Sequence, residues 1–186
     1  MILKQYDFLV IRRARLLPVK TPAKLLPAME VPKHVVASIL ISALVWWVLR
    51  SAAAAAACFL VGVLIDLDHL FDHLYHHRGR LNLRRFFRAF RIEIMENIFV
   101  FLHSWEFVIL WLALLLTVPE ARQPVALGLF IGFASHLLLD NLFNRHSRWA
   151  YFLLFRLRHG FAGKYYYGAR EYRSRIKHVR RLTRQS

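Results

Sequence analysis

The 186-residue sequence has a single cysteine, Cys58, so it can hold no internal disulfide and gives no sign of an oxidising compartment. Carboxylates are scarce: 11 Asp and Glu stand against 27 Lys and Arg, for a net charge of +16. No cleavable signal peptide opens the chain, because Arg12, Arg13 and Arg15 interrupt the first apolar run and no small-residue cleavage site follows. No internal repeat is visible, and neither glycine nor proline marks a turn near Arg50. A Ser–His–Asp hydrolase is not expected, on the same kind of ground. Ser104 sits in no nucleophile elbow, and adjacent residues on a helix do not face each other.

What the chain does have is apolar surface, 58% hydrophobic and 15% aromatic, laid out in blocks that alternate with basic blocks. A nucleic-acid binder would show the charge without needing the apolar blocks; an integral membrane protein needs both. Four apolar segments stand out, at 35–49, 52–65, 98–118 and 125–139. They predict an all-α fold: a membrane-embedded bundle of about four apolar helices, with Ser51 capping the second. Fifteen residues rise only about 22 Å, against a hydrocarbon core of ~30 Å. Such segments are tilted, extended by their flanks, or enter only part-way.

Of the 27 Lys and Arg, 25 fall in three regions: up to Lys33, from Arg78 to Arg91, and from Arg145 to Arg184. The positive-inside rule places all three in the cytoplasm, which four spans with both termini inside would satisfy. That predicts a multi-pass protein of the inner (cytoplasmic) membrane, with a hairpin at Arg50 rather than one long helix. Three parts follow: a basic, proline-punctuated surface segment at 1–33, a helical core at 34–144, and a basic, aromatic surface segment at 145–186. Within the core, 84–97 reads as an interfacial helix. Phe86, Phe87, Phe90 and Ile94 share one face, and Arg84, Arg88 and Arg91 share another that would meet anionic headgroups of the lipid bilayer. Tyr165, Tyr166 and Tyr167 suit a headgroup-level aromatic belt, and His146, His159 and His178 read as surface charge.

The scarce carboxylates are concentrated. Three of the 11 acids and two of the 10 histidines fall at 65–73, in Ile65-Asp66-Leu67-Asp68-His69-Leu70-Phe71-Asp72-His73. At the mouth of an apolar helix such a run is costly unless a cation collects it. The charge-derived topology brings further donors to the same face: His34 at the start of the first segment, His103 near the start of the third, and His136 and Asp140 at the end of the fourth. His136 and Asp140 are four residues apart on one helix face, and Gly128 and Gly132 continue that ridge as a close-packing surface. The candidate ligands outnumber the four positions of one tetrahedral zinc, so two divalent ions bridged by an Asp are expected. Mixed N and O donors suit zinc, with manganese or iron as alternatives. Asp72 and His73 are candidates for orienting the ligands. Glu106, one turn after His103, and Asp68 are the candidate catalytic carboxylates.

A histidine opening an apolar helix, then Asp66-Leu67-Asp68-His69, then His103-Ser104, then His136-x-x-x-Asp140 resembles the bacterial inner-membrane, metal-dependent hydrolases of the YdjM-like family. The resemblance covers about 34–140 and implies that His34, Asp66, Asp68, His69, His103, His136 and Asp140 are metal ligands. In that family His-Arg-Gly is closely followed by Thr-His-Ser. Here His77-Arg78-Gly79 is separated from His103 by the basic stretch, and Leu102 stands in place of the threonine. The family is in turn distantly similar to all-helical zinc-dependent phospholipases C and single-strand nucleases, which implies phosphoester hydrolysis by analogy.

The function expected is therefore a membrane-bound hydrolase acting at the cytoplasmic face on a phosphoester or other ester, with a lipid among the candidate substrates. Two other classes compete. A divalent-metal transporter or sensor would need polar residues in the outer half of the spans, where the first, second and fourth have almost none. A non-catalytic anchor would use the basic tail to hold a protein or nucleic acid, though such charge is usually only positive-inside bias.

Overall fold

The computed structural model describes residues 31–76, 79, 97–144, 146–168 and 172–174. The stretch before Val31, the expected interfacial helix apart from Asn97, and the tail after residue 174 lie outside them. Among the described residues the fold is all-α. There is no strand, only isolated bridges between Asn97 and Ala162 and between His146 and Tyr167.

Four apolar helices form the body: α1 (Val31–Leu49), α2 (Ala52–Leu64), α4 (Trp105–Thr117) and α5 (Pro124–Phe143). Between α2 and α4 the chain passes through a 3-10 turn, Ile65–Leu67, into α3 (Asp68–His76). Two short helices, α6 (Leu153–Arg158) and α7 (Gly163–Tyr166), follow α5. The expected hairpin at Arg50 is present. α1 stops at Leu49, Arg50 takes a left-handed φ of 49°, and Ser51 caps α2 by accepting the Ala54 N–H at 3.2 Å. At the other turn, Arg122 donates from Nε to the Leu115 carbonyl and from its terminal nitrogen to the Leu116 carbonyl, each at 2.8 Å, satisfying the end of α4.

Three helical stretches are long and apolar enough to cross a membrane: Pro32–Leu49, Ala52–Tyr75 and Pro124–Phe143. Their apolar residues are not hidden. Leu40, Leu44, Trp46, Trp47, Leu60 and Leu142 are all more than half exposed, as a lipid-facing surface requires and a water-facing one does not. The segment at 98–118 departs from expectation. Only Trp105–Thr117 is helical, 13 residues that rise about 20 Å. Residues 97–104 are irregular because side chains capture their backbone groups, as described below.

α5 packs closely on α2 because glycine allows it. A Cβ on Gly128 would run into the backbone carbonyl of Ala54, and one on Gly132 into that of Cys58. Gly128, Gly132, His136 and Asp140 are all buried along this one ridge. The close contact of two helices thus carries directly into the acid and histidine cluster at their end.

Within 146–168, part of the expected surface segment is buried. Ala150, Tyr151, Tyr166 and Tyr167 belong to the buried core with Val100, Phe133 and Leu137. Only Tyr165 of the three consecutive tyrosines is exposed. His146 is engaged as well, its Nδ1 2.9 Å from the Tyr151 hydroxyl. The aromatic mass of this segment outweighs its charge and drives it inward.

Candidate metal centre

The cluster is built on α1, the 3-10 turn after α2, the 97–104 segment and α5. His136, one turn beyond Gly132, sets its geometry. Its Nδ1 lies 2.8 Å from the Gly62 carbonyl, which can only accept. The proton is therefore on Nδ1. In the neutral ring Nε2 is then a lone pair, buried and without a hydrogen-bond partner. That lone pair faces two carboxylate oxygens, Asp66 Oδ1 at 3.4 Å and Asp140 Oδ2 at 3.8 Å. Three acceptors converging in a buried place call for a proton or a cation between them.

His103 joins from the other side, its Nε2 3.6 Å from Asp66 Oδ1 and 3.7 Å from Asp140 Oδ2. Asp66, His103, His136 and Asp140 therefore outline a four-cornered site with four edges between 3.4 and 3.8 Å. A tetrahedron of N and O ligands at zinc distances has edges of about 3.3–3.6 Å. The four His–Asp edges are within a few tenths of an ångström of that spacing. Asp66, His103 and His136 form one group able to hold a metal ion, and His34, His136 and Asp140 form another.

The 3-10 turn explains how the aspartate run serves His103 from two sides. Residues two apart differ by about 160° around an α-helix and by about 120° in a 3-10 turn. The tighter turn narrows the angle between Asp66 and Asp68. Asp66 reaches Nε2 of His103, while Asp68 Oδ2 lies 3.4 Å from Nδ1, behind the ring. Asp68 Oδ2 also accepts the Leu102 N–H at 2.6 Å. It is thus placed to orient His103, not to stand beside Nε2 among the ligands.

The other expected residues divide. His34 Nε2 is 3.0 Å from Asp140 Oδ1, and its ring stacks on His136 with centroids 4.0 Å apart. Asp140 Oδ1 accepts from Asn144 Nδ2 as well, at 2.8 Å, so Oδ2 is the oxygen left for the cluster. His69 tilts against His103 with ring centroids 4.7 Å apart and belongs to neither metal-holding group. Asp72 is buried and accepts the Phe99 N–H at 2.6 Å; it anchors the segment bearing His103 and orients no ligand ring directly. His73 is buried beside it in sequence. Glu106, a candidate base, turns to the C-terminal segment and accepts the Leu154 N–H at 2.9 Å, at the start of α6. Ser104 donates to the Phe101 carbonyl at 2.7 Å.

Arg156 was not among the sequence candidates. It is 3% exposed, and its guanidinium donates to the carbonyls of Val100 and His103 and to Ser104 Oγ. Burial pulls its pKa down, and the nearby Asp68, Glu106 and Asp72 carboxylates push back. The one signal for it was the run Trp149, Tyr151, Phe152, Phe155 just before it, denser in aromatics than a solvated tail needs. Burial also pulls the His103 imidazole toward neutrality, but Asp66 and Asp68 outweigh it and lift its pKa to about 9.

Compared with known families, with curated proteins and with solved structures, the chain matches none.

Proposed function

We propose that this is an integral membrane hydrolase that holds a divalent transition metal at Asp66, His103, His136 and Asp140. One observation carries the metal: the His136 Nε2 lone pair faces the Asp66 and Asp140 oxygens, with its other nitrogen committed to Gly62. Two His and two Asp donors suit zinc first, then manganese or iron. The expected second ion would have to share His136 Nε2, common to both groups, so one ion fits best and His34 and Asp68 support its ligands. Asp66, whose side chain is 15% exposed while the other three are almost fully enclosed, marks the side of entry for a substrate. A metal ion there supplies a lowered water pKa and a counter-charge for the developing oxyanion. The resemblance to YdjM-like hydrolases and the charge of +16 support an anionic phosphoester or another ester, handled at the cytoplasmic face of the inner membrane.

Metal transport is the second reading. Ser38 and Ser42 are buried and follow His34 at steps of four along α1, a polar track leading away from the cluster. Two hydroxyls offer a divalent ion no charge, which favours a resident metal. The test is elemental analysis of the full chain purified in detergent, with a phosphodiester and phosphomonoester screen in lipid vesicles and in solution. The expected result is about one zinc-type ion per chain, with metal and activity lost together in His136→Ala. A folded protein free of metal, or one whose metal survives His136→Ala, would sink the proposal. Metal flux into proteoliposomes without hydrolysis would replace it with transport.

A further inference from the structure

We propose that Arg156 is a positioning residue for His103, so that the C-terminal segment completes the metal centre from outside the helical bundle. This rests on the metal reading of the site. Three of the four ligands ride on long helical stretches: Asp66 in the 3-10 turn that continues α2, His136 and Asp140 on α5. His103 does not. It lies in 97–104, which has no helical hydrogen bonds to fix it. Its position is set from two sides. Asp72 and Asp68 on the α3 side take the N–H groups of Phe99 and Leu102. Arg156 on the other side takes the carbonyls of Val100 and His103 and the hydroxyl of Ser104.

The division of labour is chemical. An irregular buried stretch must satisfy both its N–H and C=O groups. Carboxylates can only accept, so they serve the N–H groups; a guanidinium can only donate, so it serves the carbonyls. Its rigid fork spreads its donors over two nitrogens and so reaches two carbonyls and a hydroxyl at once, where an ammonium would have to reach all three from a single atom. The rest of the segment is bolted alongside. Ile98 N–H donates to the Phe161 carbonyl at 2.9 Å, Trp105 N–H to the Tyr151 carbonyl at 2.8 Å, and Leu154 N–H to Glu106. Arg156 is thus the only buried cation described among these contacts, and it touches the main chain of the ligand itself.

The experiment uses the full chain in detergent, with cobalt(II) as the probe because its visible bands report ligand number and identity. Arg156→Met should weaken cobalt binding about tenfold or more and move the bands toward those of His103→Ala. Combined with His103→Ala it should add nothing further, since both act through one ligand. Arg156→Lys, which keeps the charge but loses the fork, should fall between Met and wild type. In metal-free protein, hydrogen exchange at 98–104 should quicken in Arg156→Met while α1, α2 and α5 stay protected. Unchanged cobalt affinity and bands in Arg156→Met, fully additive losses, or unchanged exchange at 98–104 would each overturn the assignment. If wild type binds no cobalt, the metal reading fails, and the exchange measurement still decides whether Arg156 holds the segment.

Discussion

His136 and His103 are both buried imidazoles, and both face Asp66 and Asp140, yet they are held by opposite means. His136 belongs to a half of the molecule organised by helix geometry. Glycines bring α5 against α2, a main-chain carbonyl fixes the ring, and the next turn supplies Asp140. His103 belongs to a half organised by side chains, where Asp68, Asp72 and Arg156 hold an irregular stretch in place. The helical half is costly to disturb but simple to encode. The irregular half needs several distant residues to agree, and it is there that a site can be loosened by small changes.

The largest test of this contrast is to neutralise one carboxylate in each half. Asp140→Asn removes the negative charge that faces both His103 and His136 and weakens the hold on His34. Metal content measured after dialysis should be lost. Asp68→Asn leaves all four corners standing and loosens only the support behind His103, so affinity should fall by about 10–100-fold. If the two substitutions cost the same, Asp68 is a ligand and the distinction between the halves fails at this point. Next comes packing. Gly132→Val forces a side chain into the Cys58 carbonyl, and its cost in thermal or chemical stability should be about 2–3 kcal/mol. Metal binding should weaken with it, because His136 and Asp140 lie one and two turns along the same ridge. A tolerant Gly132→Val would mean that α5 is positioned from the irregular half after all.

This contrast also accounts for what could be read from the sequence. The four apolar helices, the hairpin at Arg50, the Ser51 cap and the convergence of His34, Asp66, His103, His136 and Asp140 follow from apolar blocks, charge distribution and helical spacing, which are local properties. The roles of Asp68, Asp72 and Glu106 did not follow. Each is decided by which backbone N–H it meets, and those belong to Leu102, Phe99 and Leu154, between 27 and 48 positions away. Charge was misleading in the last segment. Arg156 counts as one more basic residue by composition, while in the fold it is the buried donor for an irregular stretch. The apolar residues at 98–101 imitated a membrane span because Ile98 and Val100 are buried in the core around Tyr151.

pH sharpens the comparison between the two histidines at intermediate cost. In the metal-free protein the His103 pKa is raised to about 9 from an ordinary 6.5. The charged ring therefore stabilises the folded state fully below about 6.5, and that contribution is lost as pH climbs through about 9. A metal ion needs the same nitrogen unprotonated, so binding near neutral pH should release a proton and affinity should rise with pH toward 9. Melting curves with and without metal should consequently diverge as pH increases. Parallel curves from pH 6 to 9 would mean that His103 does not change its proton on binding.

The smallest expected effect compares two non-glycine residues with left-handed backbones, one in each half: Arg50 at φ 49° and Phe161 at φ 54°. Arg50 is exposed and ends α1, its N–H bonded to the Trp46 carbonyl at 2.9 Å, a bond that any residue with this φ can make. Arg50→Gly relieves the strain and removes nothing that packs, so it should stabilise by about 1 kcal/mol or less. Phe161→Gly relieves the same strain but removes a ring whose centroid lies 5.2 Å from that of Phe99 and 5.6 Å from that of Phe101, beside the segment that carries His103. It should destabilise, because an aromatic contact of this kind outweighs the gain in backbone freedom. Opposite signs at two positions with the same backbone strain would show that the helical half tolerates correction at its turns, while in the irregular half the strain is maintained by the contacts that hold His103. Equal signs would place Phe161 outside that support and leave Arg156 and the carboxylates to carry it alone.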